Sequence, residues 1–164
     1  MKILVFSDSH STLRYMRSAV EALAPDAIVH LGDFFQDGEV IKEEYPNIFF
    51  YQVPGNCDNY RMDHMEPETL CCKVCGVRLF MTHGHNHYVK SGLYHLKEDA
   101  KAAFADAALY GHTHKHYCKL EDGLWIMNPG SCGNGGMTVG LIETQGSQII
   151  NCKILRAEEW EEIV

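Results

Sequence analysis

The sequence lacks any apolar run near the roughly 20 residues that a membrane-spanning helix needs, so we expect no membrane association. Proline is scarce, with 5 in 164 residues, and no Pro-, Gly- or Ser-rich stretch marks a linker between domains. The length and an apolar content of 46% suit one sizeable core. We therefore predict a single domain over residues 1–164.

Positive charge is also scarce, because 14 Lys and Arg face 22 Asp and Glu and leave a net charge of −8. Such a surface repels nucleic acid unless metal ions reverse the sign locally, so no stable nucleic-acid complex is expected. The opening segment "MKILVFSDSH" is typical of a first strand and not of a secretion signal. Seven cysteines without a regular framework then indicate reduced thiols and a cytoplasmic location.

Short β-type runs alternate with helical patterns, which is typical of an α/β fold. Leu13, Met16, Val20 and Leu23 recur at helical spacing in the first of these patterns. The predicted helices are 11–23, 38–45 and 92–105, and the tail 156–164 either forms a short helix or frays. The predicted strands are 2–7, 27–33, 47–53, 69–74, 77–82, 107–110, 116–120, 124–127, 138–144 and 147–155.

Polar side chains that can bind metal recur where five of these strands end. They are Asp8 and His10, Asp33, Asn56 and Asp58, His83 and His85, and His112 and His114. Loops beyond the carboxyl ends of strands are where α/β sheets build their sites. If the strands lie side by side, all five clusters converge on one edge.

The residue types in these clusters indicate a transition-metal centre. Carboxylate, imidazole and amide donors suit Mn, Fe, Zn, Ni or Co. Asp8-x-His10 and His112-x-His114 each place two donors on one side of an extended segment. The candidates are too many for one ion and enough for two, and two ions about 3.5–4 Å apart are a common device for in-line attack at phosphorus.

Taken in order, the motifs Asp-x-His, Gly-Asp, Gly-Asn-x-Asp, a lone His and Gly-His-x-His resemble those of the calcineurin-like metallophosphoesterases. More narrowly, the chain resembles the small single-domain phosphodiesterase branch of that family, from Met1 to about Leu155. The resemblance implies an α/β fold, a four-layer α/β/β/α sandwich of two mixed sheets flanked by helices. It also implies hydrolysis of a small phosphodiester, such as a cyclic or linear nucleotide.

The family pattern also implies two divalent ions, with Mn²⁺ preferred and Zn²⁺, Fe²⁺, Ni²⁺ or Co²⁺ as alternatives. The matching ligands of one ion are Asp8, His10, Asp33 and His114. Those of the other are Asp33, Asn56, His83 and His112, so that Asp33 bridges the ions. A hydroxide between the ions would then be the nucleophile.

One position departs from the family pattern. Many members have His after the motif Asn, where this chain has Cys57, and a thiol is a poor substitute for an imidazole that protonates a leaving group. We expect His85 to stand in as proton donor and Asp58 to orient a ligand or a water. Together with Asn56, these two residues are the catalytic candidates.

Other motif-like residues have a simpler structural interpretation. His30 is expected in the core or behind the ligands, and Cys71, Cys72 and Cys75 are expected as strand residues rather than a metal knuckle. Ser131 of the turn "NPGS" lacks the companions of a nucleophile. Surface positions are expected for His64, His87, His95 and His116, and the loops 59–68 and 86–92 are expected to border the cleft.

Two functions of different classes remain open at this point. The first is a metal-dependent phosphodiesterase. The second is a catalytically weak protein-binding scaffold, because a trafficking-complex subunit resembles these phosphodiesterases and has a compromised metal site. A scaffold needs apolar anchors, for which Phe34, Phe35 and Trp160 are candidates. The substrate, the native metal and a homo-oligomeric state stay open.

Overall fold

The computed structural model describes residues 1–58, 66–133 and 135–161. Its helices are α1 (Leu13–Leu23), α2 (Phe35–Glu44), α3 (Tyr94–Ala102) and α4 (Ala157–Glu161), and a short 3₁₀ turn covers His85–His87. Its strands are β1 (Lys2–Phe6), β2 (Ala27–His30), β3 (Phe49–Gln52), β4 (Thr69–Val74), β5 (Val77–Thr82), β6 (Ala107–Leu109), β7 (Tyr117–Glu121), β8 (Leu124–Asn128), β9 (Thr138–Gln145) and β10 (Gln148–Arg156).

The strands form two mixed sheets of five strands each. The first has the order β10-β9-β1-β2-β3, with β1, β2 and β3 parallel and β9 and β10 antiparallel. The second has the order β4-β5-β6-β8-β7, with β5, β6 and β8 parallel. Hairpins add the antiparallel edge strands β4 and β7 to the second sheet. The predicted pair of mixed sheets is confirmed.

Strand β1 shows why the sheets stack and carry helices outside. Its side chains alternate between two faces. Ile3 and Val5 pack in the core between the sheets, whereas Leu4 and Phe6 pack in the core under α1. On the far side, α3 covers the second sheet through Leu96. The four layers are therefore helices, sheet, sheet and helix, as predicted.

Helices α2 and α3 differ most in their bounds from the sequence prediction, and one short turn was missed. Helix α2 begins at Phe35 rather than at residue 38, because the carboxylate of Asp58 accepts the N–H groups of Phe34 and Phe35. Helix α3 covers only Tyr94–Ala102 of the predicted 92–105. The 3₁₀ turn at His85–His87 was not predicted, because a single turn leaves no periodicity to detect.

The surface prediction for His87 is wrong. The ring is buried, stands edge-on to Phe80 with centroids 5.7 Å apart, and places Nε2 3.2 Å from Asp99 Oδ2. His95 and His116 are exposed, as predicted. His64 lies outside the described residues.

The prediction that Trp160 could anchor a partner is also wrong. Its side chain is fully buried in the core under α1 and its Nε1–H donates to Ser18 Oγ at 3.0 Å. The short helix α4 therefore closes the fold, and Trp160 offers no surface for a partner.

All seven cysteines are free thiols. Cys71 and Cys72 lie in β4 as predicted, whereas Cys75 lies in the following turn with φ 49°. Across the two sheets, Cys118 Sγ approaches Cys152 Sγ at 3.4 Å. Cys118 and Cys152 contribute to the packing of the core between the sheets.

Candidate metal centre

The predicted ligand clusters meet at one end of the sandwich. They do not share the edge of one sheet, because Asp8 and Asp33 follow strands of the first sheet and His83 and His112 follow strands of the second. Two contacts bridge the sheets: His114 Nε2 lies 3.0 Å from Asp8 Oδ1, and His83 Nε2 lies 3.5 Å from Asp33 Oδ1. The end of the sandwich is thus the place where distant segments assemble.

Four predicted ligands form a compact donor group. Among the described residues, Asp8, His10, Asp33 and His114 each offer one donor atom within 4.8 Å of the others. The Nε2 atoms of His10 and His114 are only 3.3 Å apart. Asp8 Oδ1 is buried and accepts no hydrogen bond from the described residues. A buried carboxylate oxygen without a donor is costly, and a cation shared with the histidines would satisfy it.

The other oxygen of Asp8 is held by the protein. Ser7 Oγ donates to Asp8 Oδ2 at 2.6 Å, and the backbone N–H of His112 donates to the same atom at 3.1 Å. These bonds fix the orientation of the carboxylate and turn Oδ1 toward the donor group. Hydrogen bonds of this kind behind a ligand commonly strengthen metal binding.

A second group forms around His83. Its Nδ1–H donates to the backbone carbonyl of Leu31 at 2.7 Å, which leaves Nε2 as the free lone pair. Nε2 lies 3.2 Å from Asn56 Oδ1, and the ring stands edge-on to His112 with centroids 5.1 Å apart. The structure therefore brings Asp33, Asn56, His83 and His112 together beside the first group.

The backbone of the centre is strained. Five of the seven predicted ligands have a left-handed conformation, with φ of 55° at Asp8, 47° at His10, 58° at Asp33, 66° at His112 and 57° at His114. This region is sparsely populated by residues other than glycine, and such strain concentrates at functional sites. The surrounding contacts must therefore hold these five residues in place.

Two of the motif glycines permit close contact between loops. A Cβ at Gly55 would lie 2.2 Å from Asp33 Oδ1, and a Cβ at Gly111 would lie 1.9 Å from Ser7 Oγ. Any side chain at either position would displace a predicted ligand or the group that holds it. This explains the glycines of Gly-Asn-x-Asp and Gly-His-x-His.

The family model of the calcineurin-like phosphoesterase superfamily domain matches residues 1–147. The chain therefore belongs to the calcineurin-like phosphoesterase superfamily. Phosphodiesterase MJ0936 of Methanocaldococcus jannaschii is 28% identical, over 88% of this chain and 94% of its own length.

Two solved structures show the same fold. A predicted phosphoesterase of Streptococcus pneumoniae aligns with a TM-score of 0.75 and 24% identity, over 96% of this chain and 90% of its own. Vps29 of Entamoeba histolytica, crystallised in complex with Zn²⁺, aligns with a TM-score of 0.70 and 18% identity, over 96% and 99% of the two chains.

Asp58 is buried beside the two donor groups and holds the loops that carry Asp33 and Asn56. Its two carboxylate oxygens accept four backbone N–H groups, at distances of 2.7 to 3.0 Å. The donors are Gly55, Asp33, Phe34 and Phe35. Asp58 thus fixes the backbone around Asp33, and its role in orienting a ligand or a water stays a prediction.

Sequence reasoning missed the clamp that Asn128 provides. Its Nδ2 donates to the carbonyl of Gly111 at 2.8 Å and to Thr113 Oγ1 at 3.0 Å, while its Oδ1 accepts from Gly130. Ser131 Oγ donates to the carbonyl of Asp8 at 2.7 Å, so it is not poised as a nucleophile. The signal was present in the turn "NPGS", whose Asn is the last residue of the largely buried strand β8.

Two predicted ligands, Asp33 and His112, have lowered pKa values for different reasons. Burial raises the pKa of Asp33, but His83 and the N–H of Cys57 outweigh it, so this carboxylate has a pKa below its usual range. Burial, His83 and Lys90 lower the pKa of His112 to about 4. The ring of His112 is therefore a neutral, available ligand at physiological pH.

The two candidates for leaving-group chemistry are also shifted. Burial and then Asp33 raise the pKa of Cys57 to about 11, so its proton is held tightly. Burial and His83 lower the pKa of His85, whose Nδ1 is buried without a hydrogen-bond partner among the described residues. The His85 ring centroid lies 5.6 Å from that of His83 and 6.1 Å from that of His112, and its role as stand-in proton donor stays a prediction.

His30 belongs to the core behind the centre, as predicted. It is fully buried, and its Nδ1 accepts the N–H of Gly32 at 3.3 Å. Burial lowers its pKa to about 4, so the ring is neutral. Residues 59–65 of the loop that was expected to border the cleft lie outside the described residues, and so no contact is assigned to them. None of the helices in the described ranges is long and apolar enough to cross a membrane.

Proposed function

We propose that the protein is a metal-dependent phosphodiesterase that hydrolyses a small phosphodiester at a dinuclear centre. The observation that carries this proposal is the meeting of two donor groups at Asp33, one with Asp8, His10 and His114 and the other with Asn56 and His83. The phosphodiesterase name of the M. jannaschii relative supports the reaction class. The single-domain organisation over 1–164 stays part of this proposal.

The donor sets fit divalent transition metals. Within the described part of the chain Asp8 Oδ1 lacks a hydrogen bond. The Nε2 of His83 keeps its lone pair, because Nδ1–H donates to Leu31, and the ring of His112 is neutral. Mn²⁺ is the preferred candidate, with Zn²⁺, Fe²⁺, Ni²⁺ and Co²⁺ as alternatives. When bound, such ions supply a nucleophile from water at neutral pH and neutralise charge on the phosphoryl oxygens.

Other residues of the chain position the ligand loops and limit the protonation of the leaving group. Asp58 and Asn128 hold the loops that carry Asp33 and His112. Cys57 is a poor proton donor, because its pKa lies near 11. His85 is neutral at physiological pH and could protonate a leaving group only after the substrate's phosphate raises its pKa. The chain therefore favours substrates whose leaving group needs little protonation.

The alternative function is a protein-binding scaffold, which the likeness to Vps29 favours at the level of fold. Two observations weigh against it. Trp160 is buried, and Phe34 and Phe35 are partly buried, Phe34 beside the His10 ring, so none of these three candidates is a fully exposed anchor. In addition, each predicted ligand position carries a side chain that can bind metal. A soluble, cytoplasmic enzyme with a small substrate remains the favoured interpretation, as a proposal.

The test is a panel of phosphomonoesters and phosphodiesters assayed with each of the five metals. We expect diester hydrolysis that chelation abolishes. Asp8→Ala and His83→Ala should each lower kcat/KM at least 10²-fold, because each removes a ligand of the ions that stabilise the transition state. Glu43→Ala, an exposed change on α2, is the control. If the metal-saturated protein hydrolyses no diester above background, the enzyme proposal fails and the scaffold becomes the better account.

A further inference from the structure

A cavity of about 540 Å³ lies beside the metal centre. Thr113, which stands between His112 and His114, forms part of its wall, so the cavity and the centre share one loop. The buried side chains of Val89 and Tyr110 form its floor. Its volume falls within the range of about 300–1,000 Å³ that small-molecule sites occupy.

Two lysines give the cavity a positive charge. Lys90 and Lys115 line it, and within the described residues neither forms an ion pair, whereas Lys97 is paired with Glu121. In a chain with a net charge of −8, two uncompensated ammonium groups beside the reaction centre form a local reversal of sign.

The wall of the cavity is held in a fixed shape. Thr113 Oγ1 accepts hydrogen bonds from Asn128 Nδ2 at 3.0 Å and from the backbone N–H of Lys115 at 3.3 Å. The half-buried ring of Tyr117 adds a flat apolar face, and its hydroxyl donates to Glu121. Glu121 also accepts a hydrogen bond from Lys97, so its negative charge is already compensated.

We infer that this cavity binds one ester group of the substrate and selects a group that carries an anionic substituent, a phosphate or a carboxylate. The assignment of the ligand as part of a substrate rests on the proposed phosphodiesterase function. A neutral ester group would leave both ammonium groups without a counter-charge. An anionic group at the end of a short linker would pair with Lys90 and Lys115 while its phosphodiester occupies the metal centre.

The kinetic test uses three diesters with the same 4-nitrophenyl leaving group. Their second ester group is ethyl, 2-carboxyethyl or 2-phosphonoethyl, so that leaving-group chemistry is constant and the two anions are distinguished. We expect the wild type to favour at least one charged diester at least 10-fold in kcat/KM over the ethyl diester. The double variant Lys90→Ala, Lys115→Ala should lose that preference and keep its rate on the ethyl diester within twofold.

The matched control is Lys153→Ala, which removes an exposed charge on β10 and should leave the preference intact. Equal losses on all three diesters, or no loss on any, would overturn the inference. A stronger effect on the phosphonoethyl diester than on the carboxyethyl diester would identify phosphate as the preferred anion, and the reverse order would identify carboxylate.

A binding measurement separates this inference from the proposed function. Metal-free protein is titrated with phenyl phosphate while the backbone amide resonances of Lys90, Thr113 and Lys115 are followed. Saturable chemical-shift changes that are absent in the double variant would support anion binding in this cavity. If the same protein hydrolyses no diester, only the proposed function fails. Shifts confined to the residues around Asp8 and Asp33 would contradict the pocket, even in an active enzyme.

Discussion

The Asp58 carboxylate accepts the backbone N–H of Asp33 at 3.0 Å, so one acidic residue positions the residue at which the two donor groups meet. Three further N–H groups end on the same carboxylate. We predict that Asp58→Ala weakens Mn²⁺ binding 10-fold or more and lowers the free energy of unfolding by about 3 kcal/mol, because buried donors lose their acceptor. Calorimetry and urea denaturation of the metal-free protein measure these effects.

Asp58→Asn provides the graded comparison. Its single acceptor oxygen can serve only part of the N–H cluster, so we expect losses between those of wild type and Asp58→Ala. The exposed Glu43→Ala controls for the removal of one negative charge. Metal affinity in Asp58→Ala equal to that of wild type would show that Asp33 needs no such support.

The Asn128 clamp makes a separate prediction. Asn128→Ala removes both bonds to the loop that carries His112 and His114. We expect a loss of about 2 kcal/mol in stability, because the buried carbonyl of Gly111 loses its donor. Amide hydrogen exchange of residues 111–114 should accelerate more than exchange in β1. Uniform acceleration across the chain would instead indicate a purely global effect.

The pH dependence of stability should carry the signature of His30. Its pKa is about 4 in the folded protein against 6.5 for a free side chain, so between these values the unfolded chain binds a proton that the folded chain does not. The contribution of His30 to the free energy of unfolding is therefore at its full value above about pH 6.5 and falls as the pH drops toward 4. Between pH 7.5 and 5 the loss amounts to about 2 kcal/mol.

Urea denaturation of metal-free wild type and His30→Gln measures this difference. Gln can still accept the N–H of Gly32 but does not titrate, so its stability should fall less on acidification. The other histidines titrate in both proteins and cancel in the comparison. Parallel pH profiles of the two proteins would refute the assignment.

The raised pKa of Cys57 leads to a prediction about which leaving groups the enzyme cleaves efficiently. Because its thiol has a pKa near 11, wild type should cleave diesters with acidic phenol leaving groups at least 10²-fold faster than alkyl diesters. Cys57→His should reduce the dependence of log kcat on leaving-group pKa, whereas Cys57→Ser should keep it. If the chemical step limits the rate, equal slopes of log kcat against leaving-group pKa for all three proteins would show that this position takes no part in protonation.

Local sequence patterns predicted the strands and the residues that follow them. They could not assign the strands to sheets, because the parallel pairing of β5 with β6 joins residues far apart in sequence. The same limit hid the role of Asp58, because three of its four hydrogen-bond partners lie more than 20 residues away. It also hid the role of Asn128, which donates to the carbonyl of Gly111. The start of α2 was missed because a distant carboxylate caps it.

The burial of His87 and Trp160 illustrates a second limit. Neither residue sits in a strong periodic pattern. Trp160 is buried against α1, where it donates to Ser18, which is distant in sequence, and His87 is buried where it contacts Phe80 of β5 and Asp99 of α3. The candidate ligands could be named from the sequence, because five short motifs each followed an apolar run, and their role as ligands stays a prediction. Motifs at the ends of strands can be recognised in a sequence, whereas contacts between layers cannot.

The most direct measurement of the central claim is turnover as a function of added metal. Protein freed of metal by chelation, at a concentration well above the dissociation constants, receives Mn²⁺ in fractional equivalents while hydrolysis of bis(4-nitrophenyl) phosphate is followed. The account predicts no turnover without metal and a plateau at two equivalents per chain. A plateau at one equivalent, or full turnover in the metal-free protein, would contradict a dinuclear phosphodiesterase.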